Sequence, residues 1–161
     1  MEPQVELPEM SEAERFPRAM RFVAAWEGAY VDHPADPGGA TNIGVTQRTY
    51  DKWRDLRHLP RRPVRELTKE ERDSVYSEWY WLGAGCDRLP WPLALVHFDT
   101  AVNCGQGRAA KFLVESKGDV AAYLKLRRAF YLAIVKIRPS QVAFLKVWLR
   151  RLDDLKKECN L

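Results

Sequence analysis

The apolar positions of this 161-residue chain recur mostly at helical spacing. Ala19, Phe22, Val23 and Trp26 fall on one stripe of period 3.6, which predicts a helix over residues 17–27 that Gly28 stops. Ser11 and Glu14 match a capping box further upstream, but Pro17 is expected to reset the start of this helix. Residues 28–46 have no helical period and read as a small irregular hairpin built on the turn Asp36-Pro37-Gly38-Gly39. Helical pattern resumes over residues 46–57, with Val45, Tyr50 and Trp53 as core contacts, and a basic, proline-punctuated connection follows. Thr68 and Glu71 form a second capping box, opening a helix to about Trp81.

After a glycine-rich loop, Pro92 suits the first position of a helix running to about Asn103. Its residues Leu93, Ala94, Leu95, Val96, Phe98, Ala101 and Val102 are apolar nearly all round, the mark of a helix buried at the centre. Gly105 and Gly107 break it, and a short helix follows over residues 108–115. Two longer helices close the chain. One carries Tyr123, Leu126, Phe130, Ile134 and Ile137; the other starts after Pro139 and carries Leu145, Trp148, Leu149 and Leu152. The expected fold is mostly α, of α+β type, with one small β-hairpin after the first helix.

Composition narrows the function. With 46% apolar and 30% charged residues the chain is neither disordered nor fibrous. No apolar run reaches the roughly 18 residues of a membrane span, so membrane insertion is not expected. Residues 1–10 are acidic and proline-containing, read as a disordered arm, and lack the pattern of a secretory signal; a soluble, cytoplasmic protein is expected. Cys86, Cys104 and Cys159 have no metal-ligand spacing, and an odd count argues for reduced thiols. His33, His58 and His97 do not cluster, so neither a metal nor any other cofactor is expected; His97 and Asp99 read as a satisfied core pair. The net charge of +4 suits an anionic polymer, nucleic acid or cell wall, but no recognition-helix motif supports nucleic acid. Arg127, Arg128 and the arginines of the last helix read as solvated faces, and Trp79, Tyr80 and Trp81 as core packing.

Glu27 carries the most chemical information. At about 100° per residue it lies about 40° from Val23, at the margin of the apolar stripe and beside a glycine-rich loop. Partial desolvation disfavours an ionised carboxyl, and a carboxyl kept protonated near neutral pH suits a general acid acting on a poor leaving group such as a glycosidic oxygen. Asp36 lies in the proposed hairpin, which can fold back toward the helix end. Two carboxylates across a cleft divide glycoside cleavage between protonation of the leaving oxygen and activation of water. The same spacing equally fits a helix-terminal glutamate bonded to loop amides and an aspartate that merely forms a turn.

The segment Glu27-Gly28-Ala29-Tyr30, followed by Asp36-Pro37-Gly38-Gly39-Ala40-Thr41-Asn42-Ile43-Gly44-Val45-Thr46, resembles the signature of glycoside hydrolase family 108, the N-acetylmuramidases of bacteriophages and bacteria. Phe98-Asp99-Thr100-Ala101-Val102-Asn103-Cys104-Gly105, with Arg108-Ala109-Ala110 and the late segment from Phe144 through Trp148 to Arg151, resembles the peptidoglycan-binding region that usually follows. The resemblance implies an arm over residues 1–10, a lysozyme-like catalytic region over 11–98, and a shortened helical region over 99–161 packed as one unit with it. It implies Glu27 as the essential acid. The order glutamate, aspartate, threonine, as in phage-type lysozymes, implies Asp36 and Thr41 as the groups that hold or activate water. Gly28 and Tyr30, with Gln47 and Asn103, are the candidate substrate-binding residues. The implied protein is a monomeric endolysin that hydrolyses peptidoglycan after N-acetylmuramic acid and reaches the wall only once the membrane is opened. Ala29 in place of the motif's second glycine, and the shortened C-terminal region, point to the alternative of an inactive wall-binding or phage structural protein on the same scaffold.

Overall fold

A computed structural model describes residues 9–28 and 40–161. Its elements, in chain order, are α1 (Glu12–Glu27), β1 (Thr41–Asn42), β2 (Val45–Thr46), α2 (Gln47–Asp55), α3 (Lys69–Tyr76), α4 (Leu93–Cys104), α5 (Gln106–Ser116), α6 (Val120–Ile137) and α7 (Val142–Glu158). Among the described residues the architecture is mostly helical with one small antiparallel sheet, as expected from the periodicity.

α1 starts at Glu12, five residues before the expected start. The Glu14 carboxylate accepts hydrogen bonds from the Ser11 backbone N–H and hydroxyl, both at 3.0 Å, and this cap prevails over Pro17, which sits inside the second turn. The missing proline donor removes one helical hydrogen bond there. α3 also differs from expectation. Its capping box forms, but the α-helix ends at Tyr76 and continues as a wider π-helical turn over Ser77–Leu82. Trp81 there is buried, edge-on to Phe16 and Phe98 at 5.8 and 5.5 Å, while Tyr80 packs beside Tyr76.

α4 is the central element. Every residue from Leu93 to Ala101 is buried, and the helix packs on α1, α5 and α6. Pro92 caps it from one position earlier than expected. Within this helix His97 and Asp99 are both satisfied, but by different partners. Two residues apart on a helix, they point about 200° from each other. His97 bonds the Tyr123 hydroxyl and the Ala84 carbonyl, whereas Asp99 faces two arginines. Cys86, Cys104 and Cys159 are free thiols. None of the described helices is long and apolar enough to cross a membrane.

The hairpin pairs Thr41 with Thr46 and Asn42 with Val45. Asp36-Pro37-Gly38-Gly39, the expected turn, lies outside the described residues; the turn that joins these strands is Ile43-Gly44. Both turn residues have positive φ, 49° and 76°, as a two-residue turn matched to strand twist requires. Asn42 anchors the hairpin by donating from Nδ2 to the Val64 carbonyl at 3.1 Å.

Candidate active site around Glu27

Glu27 is the last residue of α1, and the last turn of that helix carries no basic residue. A carboxylate there faces the negative end of the helix dipole, an arrangement that local structure does not favour. Its compensation comes from the other end of the chain. Arg151 of α7 donates from Nη1 to Glu27 Oε1 at 3.0 Å, and the Glu27 side chain keeps only 19% of its surface exposed.

The second carboxylate oxygen, Oε2, faces the hairpin turn. A Cβ placed on Gly44 would lie 2.7 Å from Oε2 and would overlap the Tyr76 hydroxyl. Glycine at this position therefore serves both the positive φ and the close approach of the turn to the carboxylate. Tyr76 fixes the same turn by donating from its hydroxyl to the Ile43 carbonyl at 2.8 Å. Burial and the neighbouring Glu27 charge push the Tyr76 phenol well above its ordinary range, so it stays a donor at every working pH. Tyr80 is raised by the same two causes and stands on the same side.

Behind Arg151 lies a fully buried ionic chain. Arg151 reaches Asp99 Oδ1 from Nε and Nη2 at 3.0 and 2.7 Å, and Arg127 Nη1 reaches Asp99 Oδ2 at 2.6 Å. Arg127 continues to the Tyr131 hydroxyl at 2.9 Å and to Asn103 Oδ1 at 3.4 Å. Burial alone would push the Asp99 carboxyl up, but the two guanidiniums more than reverse this and hold it below the usual carboxylate range. Arg127 is thus not on a solvated face; with Asp99 it has no exposed side-chain surface. The signal for both arginines is positional. Arg127 lies four residues from both Tyr123 and Tyr131, and Arg151 lies three after Trp148 and four before Leu155, so each interrupts an apolar stripe.

The expected site residues divide into three groups. Glu27 closes α1 and Gly28 caps it, while Thr41 lies on β1, paired with Thr46. Tyr30 and Asp36 lie outside the described residues. Gln47 and Asn103 are engaged within the protein. Gln47 Nε2 donates to Asp51 Oδ1 and the Arg62 carbonyl, both at 2.9 Å, and its Oε1 accepts from the Val64 N–H at 2.6 Å. Asn103 Oδ1 accepts from Tyr131 and Arg127, at the far end of the chain that leads to Glu27. Among the described residues no cluster of histidine, cysteine and carboxylate side chains could hold a metal ion.

Gly44→Ala is expected to separate the site from the scaffold. The strained φ costs about 1–2 kcal/mol. Pushing the turn off Glu27 is expected to lower, on the order of 10²-fold, any rate that depends on the position of the carboxylate. That rate and the thermal midpoints of the two proteins measure this; a rate loss no larger than the stability loss implies would contradict it.

Residues 20–105 match the sequence model of Glycosyl hydrolase 108. No curated protein matches the chain. Among solved structures, that titled "Structure of Brucella abortus SagA" shares 30% identity and superposes with a TM-score of 0.71 over 90% of this chain and 93% of the other. With Glu27 and the hairpin inside the matched segment, and the likeness to SagA extending over nearly the whole length, the chain belongs to glycosyl hydrolase family 108 and has that family's lysozyme-like fold.

Proposed function

We propose that the protein is an N-acetylmuramidase, a peptidoglycan hydrolase that cuts the glycan strand after N-acetylmuramic acid. The observation that carries this reading is the half-buried Glu27 carboxyl, with Oε1 ion-paired and Oε2 turned toward the hairpin. In this reading Glu27 protonates the glycosidic oxygen as the bond to the sugar carbon breaks. Asp36 is the second carboxylate, and with Thr41 it holds or activates the water that completes hydrolysis, the division of labour that two carboxylates give glycosidases. No cofactor takes part. Tyr76, buried and bonded to the Ile43 carbonyl, holds the hairpin turn beside Glu27. The wall substrate lies outside the membrane, which fits an endolysin released when a phage opens that barrier.

Mass spectrometry of digested cell wall tests the assignment. Muropeptides ending in a reducing N-acetylmuramic acid are expected. Reducing N-acetylglucosamine ends, or release of peptides with intact glycan, would overturn it.

A further inference from the structure

Arg151 divides one guanidinium between two carboxylates. Nε and Nη2 grip Asp99, and the remaining Nη1 meets Glu27. A guanidinium is planar, with its donors in a fixed fork. Once two of them are clamped on a buried, immobile Asp99, the direction of the third is set as well. The Arg151 side chain is itself only 5% exposed. Glu27 therefore receives its hydrogen bond from a rigid part of the core.

We propose that Arg151 is a positioning residue for Glu27: it holds Oε1, leaves Oε2 as the oxygen that carries the transferable proton, and stabilises the carboxylate that proton transfer leaves behind. The proposal rests on the reading of Glu27 as general acid. The proton passes from Oε2 to the bridging sugar oxygen, and that oxygen departs with the pair of the breaking C–O bond. Glu27 becomes a carboxylate facing a cation already in place. A cation held at the oxygen where charge grows as the proton leaves stabilises the transition state more than the bound substrate. Among the described residues, the groups facing Glu27 are Arg151 of α7, with Asp99 of α4 and Arg127 of α6 behind it, and Tyr76 and Tyr80 from α3 and its π-helical extension. Asp99 and Arg127 balance each other, so Arg151 is the net cation that Glu27 meets.

Arg151→Gln isolates this role, because Asp99 keeps Arg127 as its counter-ion and the core stays neutral. The kcat and KM on purified glycan and the thermal midpoints are compared for wild type, Arg151→Gln, Arg151→Lys and Glu27→Gln. For Arg151→Gln the kcat is expected to fall on the order of 10²-fold with little change in KM. Arg151→Lys restores the cation but recovers only part of kcat, because an ammonium cannot reproduce the fork. A kcat that falls only as far as the thermal midpoint does, or a loss carried by KM alone, would overturn the proposal. If Arg151→Gln does not fold, Arg151→Lys decides alone: wild-type kcat in the folded protein contradicts the proposal. A Glu27→Gln variant as active as wild type would instead remove the general-acid reading itself.

Discussion

Glu27→Gln is expected to slow clearing of permeabilised bacteria by about 10²–10⁴-fold, the range that a positioned general acid contributes. The substitution keeps shape and leaves an amide oxygen able to accept from Arg151, but it removes the proton donor. Stability is expected to change little, on the order of 1 kcal/mol, because Arg151 keeps its two bonds to Asp99 and loses only the charge assistance of one half-exposed partner. Rate and thermal midpoint measured on the same preparation separate the two effects. Equal clearing rates would remove Glu27 from the chemistry.

Asp99→Asn is expected to have the largest effect on stability. The wild-type carboxylate pairs with both Arg127 and Arg151, and none of the three side chains is more than 5% exposed. Removing one partner of a buried ionic group strands the others, at a cost of roughly 3–5 kcal/mol, a large part of the 5–15 kcal/mol or so that holds a domain folded. A drop of roughly 10 °C in thermal midpoint is expected. The effect depends on pH in a defined direction. Because Asp99 titrates below its ordinary range when folded, its contribution is complete above the unfolded carboxyl value of about 3.9 and is lost as pH falls through the folded value. The gap between wild type and Asp99→Asn is therefore expected to narrow below about pH 4. His97, lowered by burial, adds a separate loss in both proteins as pH drops below about 6.5. A wild-type thermal midpoint for the variant at neutral pH would contradict the role of the buried chain.

Much of this molecule is legible in its sequence because its helices obey simple rules. The all-round apolar character of residues 93–102 marks α4 as the central helix, and the Thr68 and Glu71 pair marks the start of α3. Glu27 stands out because a carboxylate at the edge of an apolar stripe is costly and belongs where it has work to do. What the sequence hides is long-range. Nothing local to Glu27 indicates that its counter-ion lies 124 residues away on α7. Arg127 and Arg151 interrupt their apolar stripes in the right positions, but a basic-rich helix equally suggests a solvated face, and only packing reveals Asp99 between them. Pro17 misleads in the opposite sense: a good cap six residues upstream outweighs the loss of one backbone hydrogen bond. The Ile43-Gly44 turn is obscured for another reason. An isoleucine at positive φ defies local preference, and it is held there by Tyr76 from a different element.

Delivery of a proton from Glu27 to a leaving oxygen is addressed alone by one comparison. Wild type and Glu27→Gln are assayed on cell-wall glycan and on a short glycan of the same sugars joined to a nitrophenolate, a leaving group that departs without protonation. A deficit of about 10²-fold or more on the wall and near-equal rates on the nitrophenyl substrate are expected. The same deficit on both substrates would contradict it, and would make Glu27 a residue of binding or structure instead.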